Sequence, residues 1–211
     1  MDLQKLIQTP DDQRDMQWEA QFLTALTNSQ LEVISENPQT GPDGWPYLLV
    51  KTNPSGDQSA QKILEWLSKR GIGLAVNPDK ELPDYILPFG MIWSFRETGL
   101  FFQNQDETAA STVELSKQTI KHAGTPHPKY LPDYVRSILR EFLRDQAVLA
   151  PKILVFSLDG KNYELAFSLE SLGNPPASEH AGIAEALGWF LPPHYSIVLV
   201  SEKDLPEFSP L

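Results

Sequence analysis

The sequence predicts an α+β protein of two similar αββαβ layers, helices packed on mixed sheets, an order that admits an internal duplication. Three observations predict it. Residues 10–76 and 131–200 each read helix, strand, strand, helix, strand, at similar lengths and without residue-level identity. The helical stretches repeat apolar residues at helical spacing, and the strands are short apolar runs bounded by Gly, Pro, Asn and Asp. The chain has 211 residues and no cysteine. A chain of this length buries roughly 70% of the surface that its unfolded form exposes, enough for a core without disulfides.

In chain order, Thr9-Pro10-Asp11-Asp12 reads as a helix start, with Thr9 as cap and Pro10 at the first helical position. Trp18, Phe22, Ala25 and Leu26 then recur at helical spacing. Leu31 to Ser35 is a β-type run, and Gly41-Pro42-Asp43-Gly44 is loop chemistry before the buried strand Tyr47 to Val50. Ala60, Ile63, Leu64 and Leu67 make a helix stripe that Gly71 stops, and Ile72 to Val76 is the next strand. Met91 to Phe95 and Gly99 to Phe102 read as a hairpin turning near Glu97-Thr98-Gly99. Residues 103–111 are polar, and 112–120 fit strand or helix.

Residues 122–130, rich in Pro, Gly and His, are the expected linker between an N-terminal domain, 1–121, and a C-terminal domain, 131–211. The clearest helix opens the second domain: Leu131, Tyr134, Val135, Ile138, Leu139, Phe142 and Leu143 share one face. Two strands flank the turn Asp159-Gly160. A helix from Ser178 and a strand from Tyr195 to Val200 complete the half.

Composition narrows function. The formal net charge is −11, a field that repels nucleic-acid phosphates and anionic lipid and attracts basic partners. Neither nucleic acid nor membrane is an expected partner; a protein is. Met1-Asp2-Leu3-Gln4-Lys5 lacks the basic start of a secretory signal, and no apolar run reaches the ~20 residues of a membrane span. The expected location is the cytoplasm.

The chain holds no G-x-S-x-G elbow, P-loop, H-E-x-x-H or EF-hand loop. Gly71-Ile72-Gly73 precedes a strand, whereas a phosphate-cradling loop opens a helix. His122 and His127 lie five apart in a loop without two further ligands, so no metal and no cofactor is expected. His194, just before a strand, is the candidate general base if the protein is an enzyme, with loop acids as its partners. Arg136, Arg140 and Arg144 line one helical face and suit a carboxylate or phosphate, but Glu141 and Asp145 interleave with them. The aromatic segments around Trp45, Tyr47, Trp93 and Phe95 are the candidate binding residues, because large rings beside loops mark an interface when they stay exposed.

One family resemblance is carried by the C-terminal residues. Leu131-Pro132 opening an amphipathic helix, Val148 leading into Lys152-Ile153-Leu154-Val155-Phe156, the turn to Tyr163-Glu164-Leu165-Ala166-Phe167, and Pro193-His194-Tyr195-Ser196-Ile197-Val198-Leu199-Val200 together resemble the C-terminal domain of SseB-like proteins, the bacterial "enhanced serine sensitivity" family. The resemblance covers about 80 residues and extends loosely over the first 100. It departs at the end, where Phe208-Ser209-Pro210-Leu211 stands in place of Pro-Phe-Tyr. It implies a bacterial cytoplasmic protein with a related N-terminal module and no catalytic residues to carry over. The function expected is a non-catalytic protein-interaction or regulatory module. An immunity- or chaperone-type binder of a basic protein, and an enzyme whose site converges only in three dimensions, are the alternatives.

Overall fold

A computed structural model describes residues 2–53, 55–80, 82–102 and 115–211. The chain divides into two units, Met1–Phe101 and Phe102–Leu211. The boundary falls ahead of the expected linker.

Unit 1 begins with α1 (Leu3–Leu6) and α2 (Met16–Thr27). Strands β1 (Gln30–Val33), β2 (Gln39–Thr40), β3 (Pro46–Lys51) and β4 (Gln58–Ser59) follow, then α3 (Ala60–Leu67), β5 (Gly73–Val76), β6 (Tyr85–Leu87) and α4 (Phe89–Thr98). The sheet order is β4-β1-β3-β5-β6, with β2 also on β3. β3 and β5 are parallel, joined through α3; the other pairs are antiparallel. One sheet face is packed by helices. Trp18 and Phe22 of α2 stack together and reach Tyr85 of β6, and Ala60, Ile63, Leu64 and Leu67 of α3 are buried.

Unit 2 contains β7 (His122–Gly124), α5 (Asp133–Asp145), β8 (Lys152–Ser157), β9 (Glu164–Ser168), α6 (His180–Phe190), β10 (Ser196–Val200) and β11 (Ser209–Pro210). Its sheet runs β10-β9-β8-β11, with β7 also on β8. β9 and β10 are parallel across α6, and β8 and β9 are antiparallel. The shared core is therefore the expected one. α2-β1-β3-α3-β5 and α5-β8-β9-α6-β10 have one topology, a middle strand antiparallel to the strand before it and parallel to the strand after it.

The structure differs from the sequence reading at four places. The first long helix starts at Met16, where Asp15 accepts a hydrogen bond from the Trp18 N–H at 2.7 Å; Pro10 instead precedes a single 3-10 turn, Asp11–Gln13. The expected hairpin at 91–102 is α4. Pro88 leads into it with an extended backbone, and Gly99, at φ +76°, ends it by donating to the Phe95 carbonyl at 2.8 Å. The turn signal read at Gly99 is thus a helix stop in the left-handed region that glycine favours. Residues 122–124 of the expected linker form β7. Of the ambiguous stretch 112–120, residues 116–120 form a turn in which Ile120 N–H donates to the Ser116 carbonyl; 112–114, like the polar run 103–111, lie outside the described residues. No helix among the described residues is long and apolar enough to cross a membrane.

Candidate functional site

Strand pairing places a row of apolar residues across the unit 1 sheet. Ile34 N–H donates to the Leu49 carbonyl at 3.0 Å, Leu49 pairs with Ala75, and Ala75 pairs with Ile86. Side chains alternate along a strand. Tyr85 points toward Trp18 and Phe22, so Ile86 and its row lie on the face away from α2. At the two ends of the row Ile34 is 38% exposed and Ile86 41%; Leu49 is half-buried and the small Ala75 is buried.

The row has a polar neighbour on one side and an aromatic one on the other. Glu32 pairs with Lys51, and Lys51 forms an ion pair with Asp79 at 2.6 Å. That hydrogen bond, with the charges of Asp79 and Glu32, raises the Lys51 ammonium above its usual range. Farther along, Asp84 takes hydrogen bonds from Lys80 and Asn77 at 2.7 Å and from Arg14 at 3.1 Å. Burial by itself raises the Asp84 carboxyl; the Lys80, Asn77 and Arg14 hydrogen bonds outweigh it and hold the group below the usual carboxylate range. On the aromatic side, the ring of Tyr47 crosses Gly73, where a Cβ would come within 2.7 Å of the ring, and its hydroxyl donates to Asp43 at 2.6 Å.

Unit 2 carries the same face in a different state. Leu154 pairs with Ala166, and Ala166 with Val198. The neighbouring Ile197 faces Gly188 of α6, so the Leu154 row is again the face away from the helices. Here it is covered. Leu205 and Phe208, only 6% and 5% exposed, pack on Leu154, Phe156 and Ala166, with Leu115, Ile120 and Leu158 beside them. A short pairing of β11 with the outer edge of β8 holds this segment in place. In unit 1 the corresponding edge, on β1, is taken by β4.

The four aromatic candidates separate. Tyr47 is buried beside the open row, and Trp45 is half-buried in the turn just before it, its N–H donating to Asp43. Trp93 and Phe95 belong to α4; Trp93 is buried, and Phe95 stacks on Phe101 with centroids 4.5 Å apart. A single exposed patch of all four rings does not form. The open row itself escaped the sequence reading. Its members sit in four separate segments, and only the pairing order of the strands aligns them. The one local signal is that Ile34 shares its sheet face with the polar Glu32.

The other sequence candidates are held by their own chain. Arg136 donates to the main-chain carbonyls of Leu131 and Pro126, Arg140 to the Leu211 carbonyl at 2.8 Å, and Arg144 lies 3.5 Å from Glu141. Arg140 and Arg144, with Ser137 and Leu149, line an open cleft of about 340 Å³. His194 is half-buried edge-on to Tyr195, and burial lowers its pKa below the usual imidazole value. His127 Nδ1 accepts from the Lys129 N–H, and His180 meets the Pro175 carbonyl. Among the described residues no group of His, Asp and Glu is placed to hold a metal ion.

Comparisons with protein-family models, with curated proteins and with solved structures give no match to this chain.

Proposed function

We propose that the protein is a non-catalytic interaction module of a bacterial cytoplasm, and that a protein partner docks on the open sheet face of unit 1. One observation carries this reading. Two units of one topology present the same apolar row, and the row is buried under Leu205 and Phe208 in unit 2 while its ends stay exposed in unit 1. Covering the exposed parts of Ile34 and Ile86 is worth on the order of 1 kcal/mol each. The SseB-like resemblance of the C-terminal half implies a related N-terminal module, which the αββαβ order of unit 1 would suit.

The test is affinity capture from native cell lysate with the wild type, Ile34→Asp and Ile86→Asp, each checked for an unchanged melting profile. A partner held by the wild type and lost by both variants is the expected result. A bound set that is the same for all three proteins overturns the reading.

A further inference from the structure

Resting on that interaction reading, we infer that the occupant of the unit 1 face is a basic segment of another protein, irregular in backbone and anchored by a Leu and a Phe three residues apart. The anchor chemistry comes from the sister face. There the sheet is covered by a segment whose main apolar contacts are Leu205 and Phe208. This segment meets the sheet chiefly through side chains, its strand pairing being limited to Ser209 and Pro210 at the β8 edge. The unit 1 row has matching chemistry on the same face of its sheet, Ile34, Leu49 and Ala75 in register there as Leu154, Ala166 and Val198 are in unit 2. Because β4 already pairs with β1 at Gln30 and Leu31, an occupant of unit 1 finds that stretch of the edge taken. It binds chiefly through side chains, so its contact is weaker and reversible.

The sign of the charge follows from the surroundings. Residues 1–101 hold fourteen acidic and eight basic side chains, a net charge of −6. At the face, Lys51 is already paired with Asp79, and the exposed Glu32 lies on the same side. A second copy of this chain would bring a further −11 to the contact, and like charges across an interface oppose association. A basic segment is attracted at long range by the net charge and finds Glu32 beside the apolar row.

The experiment uses the full chain and three labelled peptides. The first has the sequence of residues 201–211 with Glu202→Lys, Asp204→Lys and Glu207→Lys. The second adds Leu205→Ser and Phe208→Ser to the first, and the third is the unaltered acidic sequence. The basic peptide is expected to bind saturably, about tenfold or more tighter than the acidic one at low salt, and about tenfold or more weaker to Ile34→Asp protein. The second peptide is expected not to bind. Equal binding of the first two peptides overturns the Leu/Phe anchor, and binding unchanged by Ile34→Asp overturns the location. A dimer in sedimentation velocity that Ile34→Asp abolishes overturns the choice of partner. Failure of the basic peptide overturns this inference alone when lysate capture still depends on Ile34; when capture is also insensitive to Ile34→Asp, the interaction reading falls with it.

Discussion

The carboxylate of Asp84 is held by donors from three segments of unit 1, Arg14 before α2, Asn77 after β5 and Lys80 in the following loop. Replacing it leaves the largely buried Arg14 with only the exposed Asp11, at 2.9 Å, as a carboxylate partner among the described residues, a loss of about 2–4 kcal/mol for Asp84→Asn at pH 7. The pH dependence follows from the lowered pKa. A group whose folded pKa lies below its unfolded value stabilises above the unfolded pKa, and that contribution disappears as pH falls through the folded value. Urea unfolding at pH 7 and at acid pH should therefore show the gap between wild type and Asp84→Asn narrowing in acid; a constant gap would mean that the charge is not what the site uses. Gly73 makes a second residue-level case. Removing a strand glycine ordinarily gains roughly 0.5–1 kcal/mol. At Gly73 a methyl meets the Tyr47 ring at 2.7 Å and the Leu87 carbonyl oxygen at 2.9 Å. Gly73→Ala should therefore destabilise, by about 1–3 kcal/mol of overpacking, as read from the denaturation midpoint.

Helices and strands were legible wherever one period ran without competition. The face of α5 is the clearest case. Val135, Leu139 and Leu143 are buried as their spacing requires, while Ile138 at the edge of the stripe is half-buried. Leu139→Ala should cost about 2–5 kcal/mol, and Ile138→Ala distinctly less, in parallel urea melts; equal costs would rotate the face. The segment that became α4 was misread for an identifiable reason. Phe89, Ile92 and Trp93 fit a helix stripe, but Trp, Phe and Ile also favour strands, and a glycine serves either a hairpin or a helix end. Pro88 settles the matter in space by opening the helix. Residues 122–124 were misread because Gly, Pro and His around a three-residue strand look like linker, and their pairing partners lie more than thirty residues away, at Val155 to Ser157. Pairing at that separation leaves no local pattern.

Across the whole molecule the repeated αββαβ order was visible in one dimension, yet the candidate surface was not. The difference between the units depends on a segment that follows the last core strand of unit 2 and has no counterpart over the unit 1 sheet among the described residues. That asymmetry predicts a local response. Phe208→Ala should cost about 3–5 kcal/mol, and amide exchange should accelerate in β8, β9 and β10 while β3 and β5 keep their protection. Equal acceleration in both sheets would show one cooperative transition. The covering segment also has a consequence for biosynthesis. Leu205 and Phe208 follow in the chain every strand residue that they cover, so a ribosome releases β8, β9 and β10 before it releases their lid. For that interval the nascent unit 2 presents Leu154, Phe156 and Ala166 to the surroundings, and a chaperone that shields apolar sheet surface has its substrate then.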